Sequence, residues 1–266
     1  MPQDRTLLQQ TDALTVERVH MHTPLWAQAL WSPSYEVASP RLVLPVSGAT
    51  EFRMASGTNA LLDGLTALSL PAGLPYQMKP CADTPRASIV VSARSGAPVS
   101  ASPKFAAWSL SPRALWLLRL HWRALARGDG ESGPTRLLIE CVLRQSAPAW
   151  RGAGRTSAAV QRAQRFMAAS TADKRAAPWT LRDVADAACC SPFHLARSFR
   201  QHTGLSLHGY RQRLRLAVAL QRLEEGERDI AALAHELGYS SQSHLGSAFL
   251  RELGVTPAQA RRALAG

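Results

Sequence analysis

Apolar residues are spaced differently in the two ends of the chain. In the first hundred residues they come in short runs: 41–46 (RLVLPV), 50–55 (TEFRMA), 65–70 (LTALSL) and 86–94 (RASIVVSAR). Pro45, Gly48, Gly57, Gly64, Pro71, Gly73, Pro75, Pro80 and Pro85 punctuate them. Short apolar or β-branched runs between turn formers predict the strands of a small antiparallel sandwich or barrel. Residues 95–112 have the composition of a loop. From Ser111 the period lengthens. Ser111-Pro112 reads as an N-cap followed by proline at the first helical position. Leu115, Leu118, Trp122 and Leu125 then recur at helical spacing until Gly128. Residues 135–145, with Leu137, Leu138, Cys141 and Val142, predict a second helix. Residues 146–157 (SAPAWRGAGRTS) read as a linker, and the pattern beyond them is helical.

The helical end contains an internal repeat. Leu181, Val184 and Ala185 match Ile230, Leu233 and Ala234 at an offset of 49; His194, Leu195, Phe199 and Gly204 match His244, Leu245, Phe249 and Gly254 at an offset of 50. One residue inserted near Ser240-Ser241 accounts for the change. Each copy predicts a first helix, a short turn and a second helix. The first copy opens on Thr180-x-x-Asp183, a capping-box pattern, and the second on Asp229. The second helices start at Ser191-Pro192 and at Ser240 or Ser241. Each places a Leu and a Phe four apart and stops at Gly, the residue that tolerates a left-handed C-terminus. This is the helix-turn-helix plan, whose second helix enters a major groove. Between the copies, Tyr210, Leu214, Ala217, Leu220 and Leu223 predict one continuous joining helix.

Charge adds to this picture. The 266 residues carry 31 Lys+Arg against 19 Asp+Glu, a formal net charge of +12. An excess of this size favours a polyanionic partner, nucleic acid first. Arg197, Arg200, Arg211, Arg213, Arg215 and Arg222 precede Glu224 with no acid among them. They read as a nucleic-acid face or simply a solvated one. No apolar run is long enough for a membrane helix, and the first twenty residues lack the pattern of a secretory leader, so a cytoplasmic location is expected. The four cysteines are spaced too far apart or too close together for a disulfide framework. Cys189-Cys190 either fills its turn or offers a thiol pair to a metal or an oxidant.

These residues together resemble the AraC/XylS type of transcriptional regulator. The resemblance rests on Leu181-x-x-Val184-Ala185, Ser191-Pro192-x-x-Leu195-x-x-x-Phe199 and Gly204. It continues through Tyr210-x-x-x-x-Arg215-Leu216-x-x-Ala219, Ile230-x-x-Leu233-Ala234, Gly238-Tyr239 and Ser243-His244-Leu245. It closes with Phe249 and Gly254-Val255-Thr256-Pro257-x-x-x-Arg261. It covers roughly residues 157–262. Ala260 departs from the aromatic residue usual before the final Arg, and Gly246 and Ser247 stand where longer polar side chains are common. The second departure implies that the second recognition helix reads few bases directly.

The resemblance implies an α+β protein. A cupin-like effector domain would span residues 1–105, a helical dimerisation segment 106–148, a linker 149–157 and a double helix-turn-helix domain 158–266. Residues 61–76 are similar to the barrel segment of such proteins. Ser191, Phe193, His194, Ala196, Arg197 and Arg200 would face DNA from the first unit, and Gln242, Ser243 and Ser247 from the second. Arg197 would hold a guanine or a phosphate, Phe193 a thymine methyl or its own turn, and Gln242 an adenine or a phosphate. Trp26, Trp31, Tyr35, Phe52, Met54, Tyr76 and Met78 would line an effector pocket or fill the core. The implied partners are double-stranded DNA, a small-molecule effector, a second copy of the chain and, for an activator, RNA polymerase. No membrane partner and no cofactor are expected.

Catalysis is not expected. His20-x-His22 is the only close histidine pair, no Glu follows it in 23–28, and it precedes the runs read as strands, so no metal centre is expected. No G-x-S-x-G or phosphate-binding loop is present, and Gly128-x-Gly130-x-x-Gly133, which fits G-x-G-x-x-G by spacing, follows a predicted helix and not a strand, so it does not read as a dinucleotide fingerprint. Two rival readings are an effector-independent regulator whose N-terminal domain only dimerises, and a cupin enzyme fused to a DNA-binding module.

Overall fold

The structure, a computed structural model, describes residues 3–21, 30–81, 86–94, 105–128, 132–145, 157–172 and 179–264. It is α+β. Among the described residues nine strands come first: β1 (Gln3–Gln10), β2 (Leu14–Met21), β3 (Arg41–Ser47), β4 (Thr50–Met54), β5 (Asn59–Leu62), β6 (Thr66–Leu70), β7 (Tyr76–Pro80), β8 (Arg86–Ala93) and β9 (Ala106–Ser109). They form two antiparallel sheets, one of six strands in the order β1-β2-β8-β3-β6-β9 and one of three in the order β5-β4-β7. The stretch 95–112, read as loop, contains β9, which pairs with β6 from Thr66↔Ser109 to Ser69↔Ala106. His20 lies within β2 rather than ahead of the strands; His22 and the linker 149–156 fall outside the described residues.

The pleat explains both faces of the large sheet. Odd-numbered Val19, Met21 and Val43 face the small sheet, where they meet Phe52, Met54, Leu62, Tyr76 and Met78. Their neighbours Leu42, Leu44, Ile89 and Val91 face the other way, against helices. Burial on both faces is why β6 and β8 read as near-continuous apolar runs rather than as an alternation.

Nine helices follow among the described residues: α1 (Pro112–Ala126), α2 (Ser132–Arg144), α3 (Ala158–Ala172), α4 (Leu181–Ala187), α5 (Pro192–Thr203), α6 (Leu207–Glu224), α7 (Ile230–Glu236), α8 (Gln242–Leu253) and α9 (Pro257–Leu264). Ser111 caps α1 by accepting from the Ala114 amide, with Pro112 at the first turn. Leu115, Leu118 and Trp122 of α1 pack on the outer face of the large sheet. Trp116 packs into the second helix-turn-helix unit with Leu220, Leu245 and Phe249. α1 therefore spends its apolar residues inside the chain, and among the described residues of 106–148 the large exposed apolar residue is Leu137 on α2.

The β-structure and the helical domain share buried polar contacts. The Tyr210 hydroxyl on α6 donates to Asp63 Oδ2 in the β5–β6 turn. Asp63 Oδ1 accepts from the Leu65 amide at 2.9 Å and from Thr66 Oγ1 at 2.8 Å. Gln164 Nε2 of α3 reaches the Tyr210 oxygen at 3.3 Å. Burial holds the Asp63 carboxyl above its ordinary pKa, with those hydrogen bonds pulling the other way. Arg119 of α1 donates to the Val46 carbonyl at 2.8 Å and pairs with Glu224 at the end of α6. Arg165 of α3 pairs with Glu51 of β4.

Candidate nucleic-acid interface

Each helix-turn-helix unit is built by local rules. In the first, Thr180 and Asp183 form a complete capping box: the Thr180 amide donates to Asp183 Oδ2 at 2.6 Å and the Asp183 amide to Thr180 Oγ1 at 3.3 Å. Those hydrogen bonds hold the exposed Asp183 carboxyl below its ordinary pKa. In the second, Asp229 Oδ1 accepts from the Ala232 amide at 2.8 Å. The turns superimpose in sequence. The Cys190 and Tyr239 amides donate to the Ala185 and Ala234 carbonyls at 3.1 and 2.9 Å. The residue before each is left-handed: Cys189 at φ 53° and Gly238 at φ 73°. Cys189 is thus a side-chain-bearing residue in the place its repeat gives to glycine.

The second helices follow the same plan. Ser191 Oγ accepts from the His194 amide at 3.3 Å, and Ser241 Oγ from the His244 amide at 3.1 Å. Leu195 and Phe199 of α5, and Leu245 and Phe249 of α8, are fully buried. Gly204 at φ 72° and Gly254 at φ 76° end the two helices in left-handed caps. Phe199 meets the Tyr210 ring edge-on at 5.1 Å, so α5 is fastened to α6.

With those side chains inward, the opposite faces turn to solvent. Ser191, Phe193, His194, Ala196, Arg197 and Arg200 are all exposed, as are Gln242, Ser243 and Ser247. Phe193 stands 81 % exposed at the start of α5, which its own turn does not explain. Among the described residues neither Arg197 nor Arg200 has an acidic partner. A side chain at Gly246 would meet open space, so the shallow relief of α8 is a property of its exposed face.

The arginine run does not form one solvated face. Arg222 is buried and held by Glu227 at 2.6 Å and by Glu236. Arg215 is buried beside Gly238 and over the Tyr239 ring at 5.6 Å. Arg211 stacks on Trp179 at 4.0 Å. Burial pulls the pKa of Arg211, Arg213 and Arg215 down. The run divides into two exposed arginines on α5 and a set on α6 that is partly or wholly committed to packing. Their partners Trp179, Tyr239 and Glu236 come from other elements, which spacing along α6 cannot reveal.

The expected pocket residues also divide. Phe52, Met54, Tyr76 and Met78 meet between the sheets, with Tyr35 at their edge. Trp31 lies elsewhere, stacked on Arg53 at 4.2 Å. It borders a cleft of about 30 Å³ with Glu51, Phe52, Asn59 and Gln161, room for a water or two. Trp26 is outside the described residues.

A family model described as a helix-turn-helix domain matches residues 184–263. Over 84 residues the chain is 39% identical to a protein of Streptomyces lividans named as an AraC-like transcription regulator, a match covering 32% of this chain and 28% of that one. It is 32% identical over 84 residues to the transcriptional activator RhaR of Escherichia coli strain K12, covering 32% and 30%. The matched segment thus spans less than a third of each relative. Among solved structures, ToxT from Vibrio cholerae O395 aligns over 96% of this chain and 100% of its own at 10% identity and a TM-score of 0.39. The C-terminal domain of AraT from Geobacillus stearothermophilus aligns over 41% and 88% at 30% identity and a TM-score of 0.37. Residues 184–263 are an AraC-type helix-turn-helix domain.

No described helix is long and apolar enough to cross a membrane. Among the described residues, no group of three or more His, Cys, Asp or Glu could hold a metal ion.

Proposed function

We propose that the protein is a cytoplasmic, sequence-specific DNA-binding transcription regulator and not an enzyme. α5 and α8 would enter successive major grooves on one face of the duplex, with α6 setting their separation near one helical turn of DNA, about 34 Å. Arg197 would contact a guanine edge, Phe193 a thymine methyl and Gln242 an adenine. Ser191, His194, Ala196, Arg200, Ser243 and Ser247 would complete the contacts, those to phosphate fixing register. The observation that carries this reading is the repeated pair of capped, Leu/Phe-anchored helices with polar and aromatic side chains on their outer faces.

The two-sheet domain would bind a small-molecule effector, with dimerisation through the helical segment and, for an activator, contact with RNA polymerase. An effector that favours one packing of the sheets against α6 would shift the DNA-competent population through Asp63–Tyr210 and Arg119–Glu224. The test is binding of the purified protein to the intergenic DNA upstream of its own gene, under salt titration with non-specific competitor. Tight binding that survives competitor is expected. Binding that competitor abolishes, with the salt slope of pure phosphate contact, contradicts the reading.

A further inference from the structure

The pleat of β8 carries a feature that core packing does not explain. Ala87, Ile89 and Val91 face the helices and Val90 faces the small sheet. Arg86 and Ser88 therefore share the inner face with Val90. The register agrees, since Arg86 opposes Met21 and Ser88 opposes Val19, both inner residues. Arg86 is 8 % exposed and Ser88 3 %. The guanidinium is surrounded by the thioethers of Met21 and Met78, the latter 4.0 Å from Nη2, and by the Phe52 ring at 5.9 Å. Among the described residues, Nε and Nη1 of Arg86 and Oγ of Ser88 have no hydrogen-bond partner.

Among the described residues no anion balances this charge at neutral pH. The ionisable groups acting on Arg86 are Cys81 and Tyr76. Burial pushes the Cys81 thiol up to about 12 and raises the Tyr76 phenol, so both stay neutral. Burial lowers Arg86 only to about 10, so it stays protonated. Two other buried arginines hold acids, Arg119 holding Glu224 and Arg222 holding Glu227 and Glu236, while Arg215 lies over the Tyr239 ring. A desolvated cation beside an unpartnered hydroxyl calls for an anion from outside.

We propose that the inter-sheet core binds an organic monocarboxylate, its carboxylate held by Arg86 and Ser88 and its apolar body by Phe52, Met54 and Met78. The proposal rests on the effector reading above and names the class of that effector. One guanidinium fork and one hydroxyl suit the two oxygens and single charge of a carboxylate. The apolar wall suits a hydrocarbon body. Three of the chain's five methionines, Met21, Met54 and Met78, line this core, and unbranched thioethers repack readily around a guest.

The test uses the full chain without DNA. Thermal unfolding and titration calorimetry are run with butanoate, octanoate, dodecanoate and benzoate, with octanol and benzyl alcohol as neutral counterparts, and with inorganic phosphate. At least one carboxylate is expected to bind saturably and raise Tm, while its alcohol and phosphate do not. Arg86→Met is expected to weaken that binding about 10- to 100-fold and to raise the Tm of the ligand-free protein, because an unpaired buried cation is gone. Asp83, outside the described residues, supplies a control through Asp83→Asn, which is expected to change neither. The proposal is overturned if no carboxylate shifts Tm, or if Arg86→Met leaves carboxylate binding unchanged. An alcohol acting as well as its acid also overturns it, as does carboxylate binding that appears only in Asp83→Asn. Carboxylate binding that leaves DNA affinity unchanged refutes the effector reading and keeps this site; specific DNA binding with no carboxylate binding does the reverse.

Discussion

The two helix-turn-helix units share a backbone and differ in what they place on it. Both turn through a left-handed residue, both cap the second helix with serine, and both anchor it with Leu and Phe. The first unit turns at Cys189 and exposes Phe193, Arg197 and Arg200. The second turns at Gly238 and exposes Gln242, Ser243 and Ser247, with half-buried Gly246 among them. The first is packed into the core that includes the large sheet, whereas the second forms a separate cluster with α1 and α9. The repeat thus supplies geometry twice and chemistry once. The unit that exposes an aromatic residue and two arginines is also the one packed into the core that includes the large sheet.

The largest effects probe that difference in packing. Phe199→Ala and Phe249→Ala should each cost about 3–5 kcal/mol, read by denaturant unfolding. They should differ in reach. Phe199→Ala is expected to loosen amide protection in β3 and β8, and Phe249→Ala to leave those strands protected and loosen α8 and α9. Equal loosening of the strands by both would mean that the two clusters are one.

The turns should respond with opposite signs. A Cβ at Gly238 would lie 2.5 Å from Arg215 Nη2 on a backbone at φ 73°. Gly238→Ala should therefore cost about 1–3 kcal/mol. Cys189→Gly relieves a left-handed side chain and should gain roughly 0.5–1 kcal/mol after the entropy cost of glycine. Thermal unfolding reads both.

On DNA, Arg197→Ala should cost about 1–3 kcal/mol and relax preference at one base pair. Ser247→Ala should cost about 0.5–1.5 kcal/mol and spread its effect over all sequences, as loss of a phosphate contact would.

The smallest effects concern pH and two carboxyls of opposite sign. The Asp63 pKa is raised by burial, so its contribution to folding is fully present below its unfolded value of 3.8 and is lost as pH rises through the folded value. The Asp183 pKa is lowered by its hydrogen bonds to Thr180, so its contribution is present above 3.8 and lost as pH falls through the folded value. The Tm of Asp63→Asn relative to the parent should rise with pH, and that of Asp183→Asn should fall. Parallel profiles for the two variants would remove the distinction.

How much of this was legible in the sequence depended on how local the cause was. Caps, Leu/Phe pairs and terminal glycines act within a few residues, so the helix-turn-helix units could be read directly. The runs at 41–46, 50–55, 65–70 and 86–94 coincide with β3, β4, β6 and β8. β1 and β2 went unread because Leu7, Leu8, Val16 and Val19 are scattered among polar residues, although Thr15-Val16-x-x-Val19 offered a weak signal. β9 hid in a stretch rich in Ser and Pro. Asp63 and Tyr210 are 147 positions apart, and nothing local to either announces the other. Arg86 was the missed residue with a usable signal: an arginine opening an apolar run, in phase with Ser88 and Val90, must point inward.

On the proposed function, the two helix-turn-helix units joined by α6 act on DNA with unequal detail. Selection of bound sites from a randomised duplex library, using the purified full chain, tests it most directly. Two preferred blocks about 10–10.5 base pairs apart, centre to centre, are expected, one sharply defined and blurred by Arg197→Ala, the other shallow and unchanged by it. A single block, two blocks equally insensitive to Arg197→Ala, or no enrichment at all would contradict it.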